Sequence, residues 1–186
     1  MTRGPVTEVV GKAAGLPLND QSQYLTFMLG TEVFALGILH IKEIIEYDPP
    51  TIVPMMPDFI RGVVNLRGAV VPVVDLFRRL GRESTVVSKR VCIVIVELAV
   101  ESERHTIGLI VDAVNEVLKI PESDIEQPPE FGAMVRSDFI AGMGKVKGTF
   151  VMILQVNQIL AMEELDSLAQ ASVQSPVLRP DSHPSL

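Results

Sequence analysis

Two stretches of this chain repeat each other at long range, and the repeat limits what the chain can fold into. Sliding the sequence by 80 positions aligns residues 59–76, FIRGVVNLRGAVVPVVDL, with residues 139–156, FIAGMGKVKGTFVMILQV. The alignment matches an aromatic residue, two glycines and a cation: Phe59 with Phe139, Gly62 with Gly142, Arg67 with Lys147, and Gly68 with Gly148.

A second alignment extends the repeat. Sliding by 73 positions lays residues 34–45, FALGILHIKEII, on residues 107–118, IGLIVDAVNEVL, so that Glu43 faces Glu116. Two copies are too few for a solenoid, in which several units stack on one another. The repeat therefore predicts two copies of one small β unit packed together.

The predicted elements are mostly short strands. Apolar segments rich in Val and Ile are separated by Gly, Pro or charged clusters, as in small antiparallel sheets and barrels. Strands are predicted over 23–29, 33–39, 63–67, 69–74, 90–98, 105–112, 114–119, 143–147 and 149–154. Asp75 is a candidate cap for a brief helix over 76–80, which Gly81 would end, and a second helix is predicted over 156–165.

The ends of the chain differ in composition from its middle. We expect a flexible segment over 1–22, a folded domain over 23–165 and a disordered tail, rich in Ser and Pro, over 166–186. Inside the domain, residues 48–57 hold four prolines and are interpreted as a stiff connector. Their Pro-x-x-Pro spacing also matches an SH3 ligand, but a segment between two core strands favours the structural interpretation.

Charge and motif content argue against several classes of function. The net charge of −7 opposes nucleic-acid binding. The longest apolar run, residues 91–100, is too short to cross a bilayer, so no membrane insertion is expected. A single cysteine, Cys92, and the lack of a secretory signal predict a cytoplasmic protein. No metal, cofactor or catalytic motif is recognisable, and GMGKVKG (142–148) is interpreted as a hairpin, so an enzyme is disfavoured and a protein partner or a small ligand remains.

Arg67 is the unusual residue in the first repeat. It stands among valines, followed by Gly68, which indicates a turn or bulge, and by Pro72, which indicates an edge or bulged position. One interpretation is an ion pair with Glu43 or Asp75 that fixes the loop. The other is a guanidinium at the rim of a protein interface, where arginine is enriched. Both can hold together.

These blocks, in this order, resemble the CheW family of chemotaxis coupling proteins. The most specific piece is Asn65-Leu66-Arg67-Gly68 followed by Pro72 and Asp75-Leu76, and the resemblance covers about 23–165. It implies a mainly β fold of two intertwined five-stranded SH3-like barrels with short helices. It also implies an adaptor, without catalysis or cofactor, that couples methyl-accepting chemoreceptors to the histidine kinase CheA and controls kinase activity.

The resemblance further implies partners and contact residues. The partners would be the cytoplasmic tip of the receptor and the regulatory domain of CheA, in arrays at the inner face of the membrane. Transferred positions are Ile41, Glu43 and Ile44 at the end of the second strand, Gly62, Asn65, Arg67 and Gly68 around the signature, and Val91 on the strand that opens the next barrel.

Some alternatives stay open. Similar barrels serve twitching-motility or other chemosensory-like pathways, and a small β-barrel enzyme or ligand binder is a competitor of a different class. The chain also departs from many family members at Gln155, where an acidic residue is common.

Overall fold

Two β-sheets make up the described part of the chain, which in this computed structural model comprises residues 22–83, 87–128 and 139–159. The strands are β1 Gln23–Leu29, β2 Glu32–Gly37, β3 Ile41–Glu46, β4 Ile60–Leu66, β5 Ala69–Asp75, β6 Cys92–Val100, β7 Glu103–Val111, β8 Ala113–Lys119, β9 Ile125–Glu126, β10 Ile140–Val146 and β11 Thr149–Leu154. A short helix, α1, spans Leu76–Arg79, and three-residue 3-10 turns lie at Ile38–His40, Glu122–Asp124 and Val156–Gln158.

Each sheet draws strands from both halves of the chain, so the two subdomains are intertwined. One sheet has the order β8-β1-β2-β11-β10-β9, and the other has the order β3-β6-β7-β5-β4. In each sheet, the segment that follows one outer strand reaches the opposite side of the sheet. In the five-stranded sheet, Thr51 follows the outer strand β3 and bridges to Val63 in the other outer strand, β4. In the six-stranded sheet, β9 follows the outer strand β8 and pairs with β10. The mainly β, two-subdomain architecture confirms the predicted fold class, although the two-residue β9 gives the first sheet a sixth strand.

The strand pairing follows the sequence repeat. In one sheet β5 runs parallel to β7, with Val73 opposite Gly108; in the other β11 runs parallel to β2, with Ile153 opposite Ala35. These positions are offset by the same 80 and 73 residues that align the sequence. The hairpins β4–β5 and β10–β11 also share a register shift at their first residues and a two-residue turn.

Two strands were missed by the pattern and one was predicted too long. The predicted strand 33–39 ends at Gly37, because the 3-10 turn Ile38–His40 redirects the chain out of its sheet. The chain then forms β3, which pairs with β6 in the other sheet. Ile41, Glu43 and Ile44 therefore lie on this separate strand and not at the end of the second one. The two-residue β9 was the other omission.

Pro72 lies in an inner strand, but at a position where that strand is not yet paired on the side to which the proline nitrogen points, so locally it is the edge position predicted. It faces Val63, whose backbone N–H and C=O are both bonded to Thr51 on the opposite side, at 2.8 Å each. Pro72 therefore occupies a non-hydrogen-bonded position of the hairpin, where its missing N–H points towards β7. The pairing of β5 with β7 begins one residue later, at Val73, so the absent donor breaks no described ladder bond.

The predicted helix after the first repeat is present and has the predicted cap. Asp75 Oδ1 accepts from the backbone N–H of Arg78 at 3.2 Å, and α1 ends just before Gly81, which has a φ of 91°. Of the second predicted helix, 156–165, residues Val156–Gln158 form a 3-10 turn and the remainder lies outside the described residues. The predicted flexible segment up to residue 21 and the predicted tail 166–186 also lie outside them.

The main core joins the two subdomains. One cluster of buried side chains includes Phe27 and Phe34 of one sheet together with Leu76 and Leu109 from the other half of the fold. The guanidinium of Arg79 lies 4.5 Å from the ring centre of Phe59 and 5.0 Å from that of its repeat counterpart Phe139. Its Nε donates to the carbonyl of Ile159, so α1 ties equivalent points of both repeats together.

Candidate functional site

The centre of the candidate site is an ion pair that fastens the β4–β5 turn to β3. Arg67 and Gly68 form the turn, with φ values of 54° and 89°, which is the backbone pattern of a type I′ hairpin. Arg67 donates from Nη1 to Glu43 Oε2 at 2.6 Å and from Nη2 to Glu43 Oε1 at 2.7 Å. This two-point geometry fixes the direction of the guanidinium as well as its position.

The ion pair leaves Arg67 open to solvent. The side chain of Arg67 is 71% exposed, while that of Glu43 is 27% exposed. Hydrogen bonding to Glu43, together with its negative charge, raises the pKa of Arg67, so the guanidinium stays charged. The ion-pair interpretation of Arg67 is therefore confirmed, and the side chain is also presented at the surface, where its contact with a partner stays a prediction. The carboxylate is Glu43 and not Asp75.

Asn65 holds the turn from within. Its side-chain Oδ1 accepts from the backbone N–H of Gly68 at 2.8 Å. Asn65 and Gly68 are both exposed, and a Cβ added to Gly68 would meet no atom within 4 Å. The tip of the hairpin is thus a rigid surface feature with free space around it.

An open groove runs beside this turn, between the two outer strands of the five-stranded sheet. It has a volume of about 500 Å³. Its apolar lining includes Ile45, Leu66 and Ile93, and its acidic lining includes Glu46 and Asp48. The groove is also lined by three of the transferred positions, namely Glu43, Asn65 and Arg67. The family signature gave no indication of Ile45, Glu46 or Asp48. These residues lie near Arg67 only because β3 pairs with β6 in the five-stranded sheet, and the sequence pattern does not show that pairing.

Three other transferred residues lie under the surface. Ile44 is buried in the main core, Ile41 packs against that core, and Val91, just before β6, is buried in the second apolar cluster. The structure does not bring Val91 to the groove surface. Any influence of Ile44 or Val91 on a partner would therefore act through the position of β3 or β6 and not through side-chain contact.

Gly62 lies where two backbone segments nearly touch. Its φ is 148°, and an added Cβ would lie 2.2 Å from the carbonyl oxygen of Thr51, the residue that bridges β4. Real Cβ atoms do not come this close to a backbone oxygen. Gly62 is therefore required by the approach of the 47–58 connector, independently of any partner.

We expect Gly62→Ala to lower the free energy of unfolding by roughly 2–4 kcal/mol, because the added methyl group must displace the Thr51 bridge. Gly68→Ala is the matched control: its φ of 89° is also left-handed but its surroundings are open, so about 1 kcal/mol is expected. Denaturant titration of both variants gives the comparison. Equal losses would show that the contact with Thr51 does not matter.

The second repeat has the same turn, but the turn is not held by an equivalent ion pair. Lys147 and Gly148 have φ values of 52° and 81°, matching Arg67 and Gly68. Among the described residues, Lys147 and Glu116 form no ion pair. Glu116 is instead bonded through its backbone to the hydroxyl of Thr26. The ion-paired turn thus distinguishes one end of the molecule from the other.

Three further observations concern grouped metal-ligand side chains, helix length and the single cysteine. In the parts of the chain that the structure describes, no three His, Cys, Asp or Glu side chains are grouped as metal ligands, and no helix is long and apolar enough to cross a membrane. Cys92 is buried, and burial raises the pKa of its thiol. Its slow alkylation in the folded chain can report unfolding of variants.

Comparisons with known proteins agree on one family. A model of the CheW-like domain matches residues 23–164. The chemotaxis protein CheW of Bacillus subtilis (strain 168) is 32% identical over 144 residues, covering 77% of this chain and 89% of its own. The CheW of Klebsiella aerogenes is 29% identical over 156 residues, covering 84% of this chain and 90% of its own.

A solved structure and a differently named relative complete the comparison. The crystal structure of the scaffolding protein TtCheW from Thermoanaerobacter tengcongensis matches with a TM-score of 0.70 at 32% identity, covering 81% of this chain and 93% of that one. Protein FrzA of Myxococcus xanthus is 24% identical over 137 residues, covering 74% of this chain and 82% of its own.

Proposed function

This chain belongs to the CheW-like domain family, and on that premise we propose that it is a chemotaxis adaptor that couples methyl-accepting chemoreceptors to the histidine kinase CheA. The coarse role, a chemotaxis coupling protein, rests on relatives named chemotaxis protein CheW that align over most of their length. The single observation that supports a specific binding end is the Glu43–Arg67 ion pair, which holds an exposed guanidinium beside an open groove.

The geometry fits recognition by a protein better than chemistry on a small substrate. The groove beside Arg67 is open to solvent, and its apolar lining comes from strand side chains with a polar rim. Apolar centres with polar rims are typical of protein interfaces, where arginine is enriched. A shallow groove of this kind offers no enclosed site in which water could be excluded from a reaction. We therefore propose that the protein acts without catalysis or cofactor.

Its effect on the kinase would be a shift of populations. A coupling protein that binds the active and inactive kinase states unequally changes their ratio, and receptor binding can change that preference. In this scheme Glu43, Asn65, Arg67 and Gly68 form the contacting surface. Ile41, Ile44, Gly62 and Val91 keep the strands beneath it in place. The protein would then work in the cytoplasm, at the inner face of the membrane, where receptor arrays bring the partners together.

A second pathway is a specific alternative. One relative, protein FrzA of Myxococcus xanthus, is not named CheW. The same fold and turn would then serve a twitching-motility or other chemosensory-like system. The distinction lies in which receptor fragment binds, so a panel of receptor signalling fragments from both kinds of pathway would separate the two.

Binding measurements with purified partners test the proposal. The full chain is titrated by calorimetry with a receptor signalling fragment and, separately, with the regulatory domain of CheA. We expect saturable binding to each, because an adaptor must contact both. If the folded chain binds neither partner from its own organism, the proposed coupling role is wrong.

A further inference from the structure

Arg79 and Ile159 are counterparts in the sequence repeat, and they contact each other. Their positions differ by the same 80 residues that separate Phe59 from Phe139, and the Nε of Arg79 donates a hydrogen bond to the carbonyl oxygen of Ile159. When one repeat is rotated onto the other, a residue stays close to its own counterpart only if it lies near the rotation axis. Arg79 therefore lies at the centre of the fold, where the two repeats meet.

The guanidinium of Arg79 is shared by two buried aromatic rings, which are also counterparts. It lies 4.5 Å from the ring centre of Phe59 and 5.0 Å from that of Phe139. Both distances fall within the range of roughly 6 Å over which a cation is attracted to the face of a ring. Arginine at both counterpart positions would bring two like charges together at the axis, but the second repeat has the fully buried Ile159 instead. A single cation thus joins the two halves.

Each of the two rings is fixed at the base of one hairpin. Phe59 directly precedes β4, and its carbonyl accepts from the backbone N–H of Asp75, at the end of β5, at 2.7 Å. Phe139 directly precedes β10, and its carbonyl accepts from the backbone N–H of Gln155, just after β11, at 2.8 Å. These bonds close each hairpin at the end opposite to its two-residue turn. A displacement of either ring therefore moves the base of a hairpin, and the paired strands carry that movement to the turn.

Helix α1 holds Arg79 to the first hairpin and presents it to the second. The helix is capped by Asp75, and the same carboxylate is bonded to Arg61 on β4 at 3.0 Å. Movement of β4 therefore moves the helix that carries Arg79. In this structure the guanidinium lies closer to Phe59, and a position closer to Phe139 is the alternative arrangement. An element with two discrete arrangements is what energetic coupling between distant sites requires.

We propose that Arg79 couples the two hairpins, so that a partner bound at the Arg67 turn changes the affinity of the chain for its other partner. This inference rests on the proposed function, because the signal that an adaptor transmits between receptor and kinase is the coupling between their binding. A partner that pulls on the β4–β5 turn shifts the base of that hairpin and moves the guanidinium between the rings, which shifts the β10–β11 hairpin. By linkage, each partner then changes the affinity for the other by the same factor.

The test titrates the full chain with the CheA regulatory domain, alone and after saturation with the receptor signalling fragment. We expect the two affinities to differ at least about fivefold for the wild type and less than about twofold for Arg79→Met. Methionine keeps an unbranched side chain between the rings but removes the charge and the hydrogen bond, so the affinity for each partner alone should stay within about twofold of the wild type. The matched control is Arg78→Met, which removes the neighbouring cation, ion-paired with Asp58, and should keep the fivefold difference.

Hydrogen exchange tests the same link without a partner. Asn65→Ala removes the bond that holds the first turn, and we expect it to speed exchange of the β10–β11 amides at least about twofold, but not when Arg79→Met is already present. Alkylation of Cys92 confirms that each variant is folded. An effect confined to β4–β5, or a partner-dependent difference that survives Arg79→Met, would overturn the inference. A chain that shows the exchange response but binds neither partner would support the link between the hairpins and contradict the proposed function.

Discussion

Replacing Asp75 with alanine is expected to lower the free energy of unfolding by about 2–3 kcal/mol, because it removes a buried carboxylate that accepts hydrogen bonds from a partly exposed arginine and from a helix N-terminus. Asp75 is 0% exposed, and its Oδ2 accepts from Arg61 Nη2 at 3.0 Å and from Nε at 3.2 Å. The same carboxylate caps α1 through Arg78, a contact that contributes about 1 kcal/mol in other proteins. Alanine leaves the Arg61 guanidinium without its buried acceptor and the helix without its cap.

Urea titration of the wild type, Asp75→Ala and Asp48→Ala gives the comparison. Asp48 is an exposed carboxylate, so its removal should change the free energy of unfolding by no more than about 0.5 kcal/mol. Asp75→Asn keeps the shape and a capping oxygen, so an intermediate loss is expected. A loss below about 1 kcal/mol for Asp75→Ala would contradict the structural role given to this carboxylate.

Replacing Arg67 with glutamate is expected to reduce affinity for the receptor fragment or the kinase domain at least tenfold, with little change in melting temperature. The reason is the exposure of Arg67: surface ion pairs contribute little to folding, whereas a charge reversal at an interface opposes association. Calorimetric binding and thermal unfolding of the same preparation measure the two effects. An unfolded variant, or unchanged affinity for both partners, would contradict this assignment.

The combined change Glu43→Arg with Arg67→Glu separates two roles of Arg67, holding the turn through the ion pair and contacting the partner. It restores an opposite-charge pair across the turn but moves the cation from the tip to β3. We expect the ion pair to hold the turn again while binding stays weak, because in the proposed contact the partner faces the tip. Asn65→Ala tests the turn itself, since it removes the bond to Gly68 without changing any charge.

Much of the local structure could be predicted from short patterns. A cation followed by glycine between two apolar runs specifies a hairpin turn, and both copies have positive φ at these positions. Aspartate before an apolar helix turn specifies a cap, which Asp75 supplies. Gln155 occupies the position in the second repeat that Asp75 occupies in the first. The backbone N–H of Gln155 donates to the carbonyl of Phe139, just as that of Asp75 donates to the carbonyl of Phe59. Unlike Asp75, however, Gln155 does not cap the turn that follows it, because its side chain forms no hydrogen bond to the 3-10 turn.

The remaining features depend on contacts between distant parts of the chain. The separate strand β3 could not be distinguished from a continuation of β2, because only three residues separate the two strands and only the partner β6 decides the sheet. Pro72 correctly indicated a position without a ladder bond, but it could not show that β5 becomes an inner strand one residue later, at Val73, where its pairing with β7 starts. Periodicity describes one strand at a time and contains no information about its neighbours.

The same limit applies to the candidate site. The sequence offered Glu43 and Asp75 equally as partners of Arg67. The fold decides between them, because Asp75 faces inwards to Arg61 and Glu43 faces outwards across the turn. The acidic side of the groove was not predicted, and neither was the exposure of Ile52 and Met55, since a proline-rich connector gives no indication of which of its side chains turn to the core.

The most direct test is reconstituted kinase activity. CheA and receptor signalling fragments are held at fixed concentrations on vesicles, and the chain is added over a range that spans its affinity for both. We expect the rate of kinase autophosphorylation to change only when receptor and chain are both present, with Arg67→Glu losing the effect. A rate that does not depend on the chain at saturating concentration would contradict the coupling role.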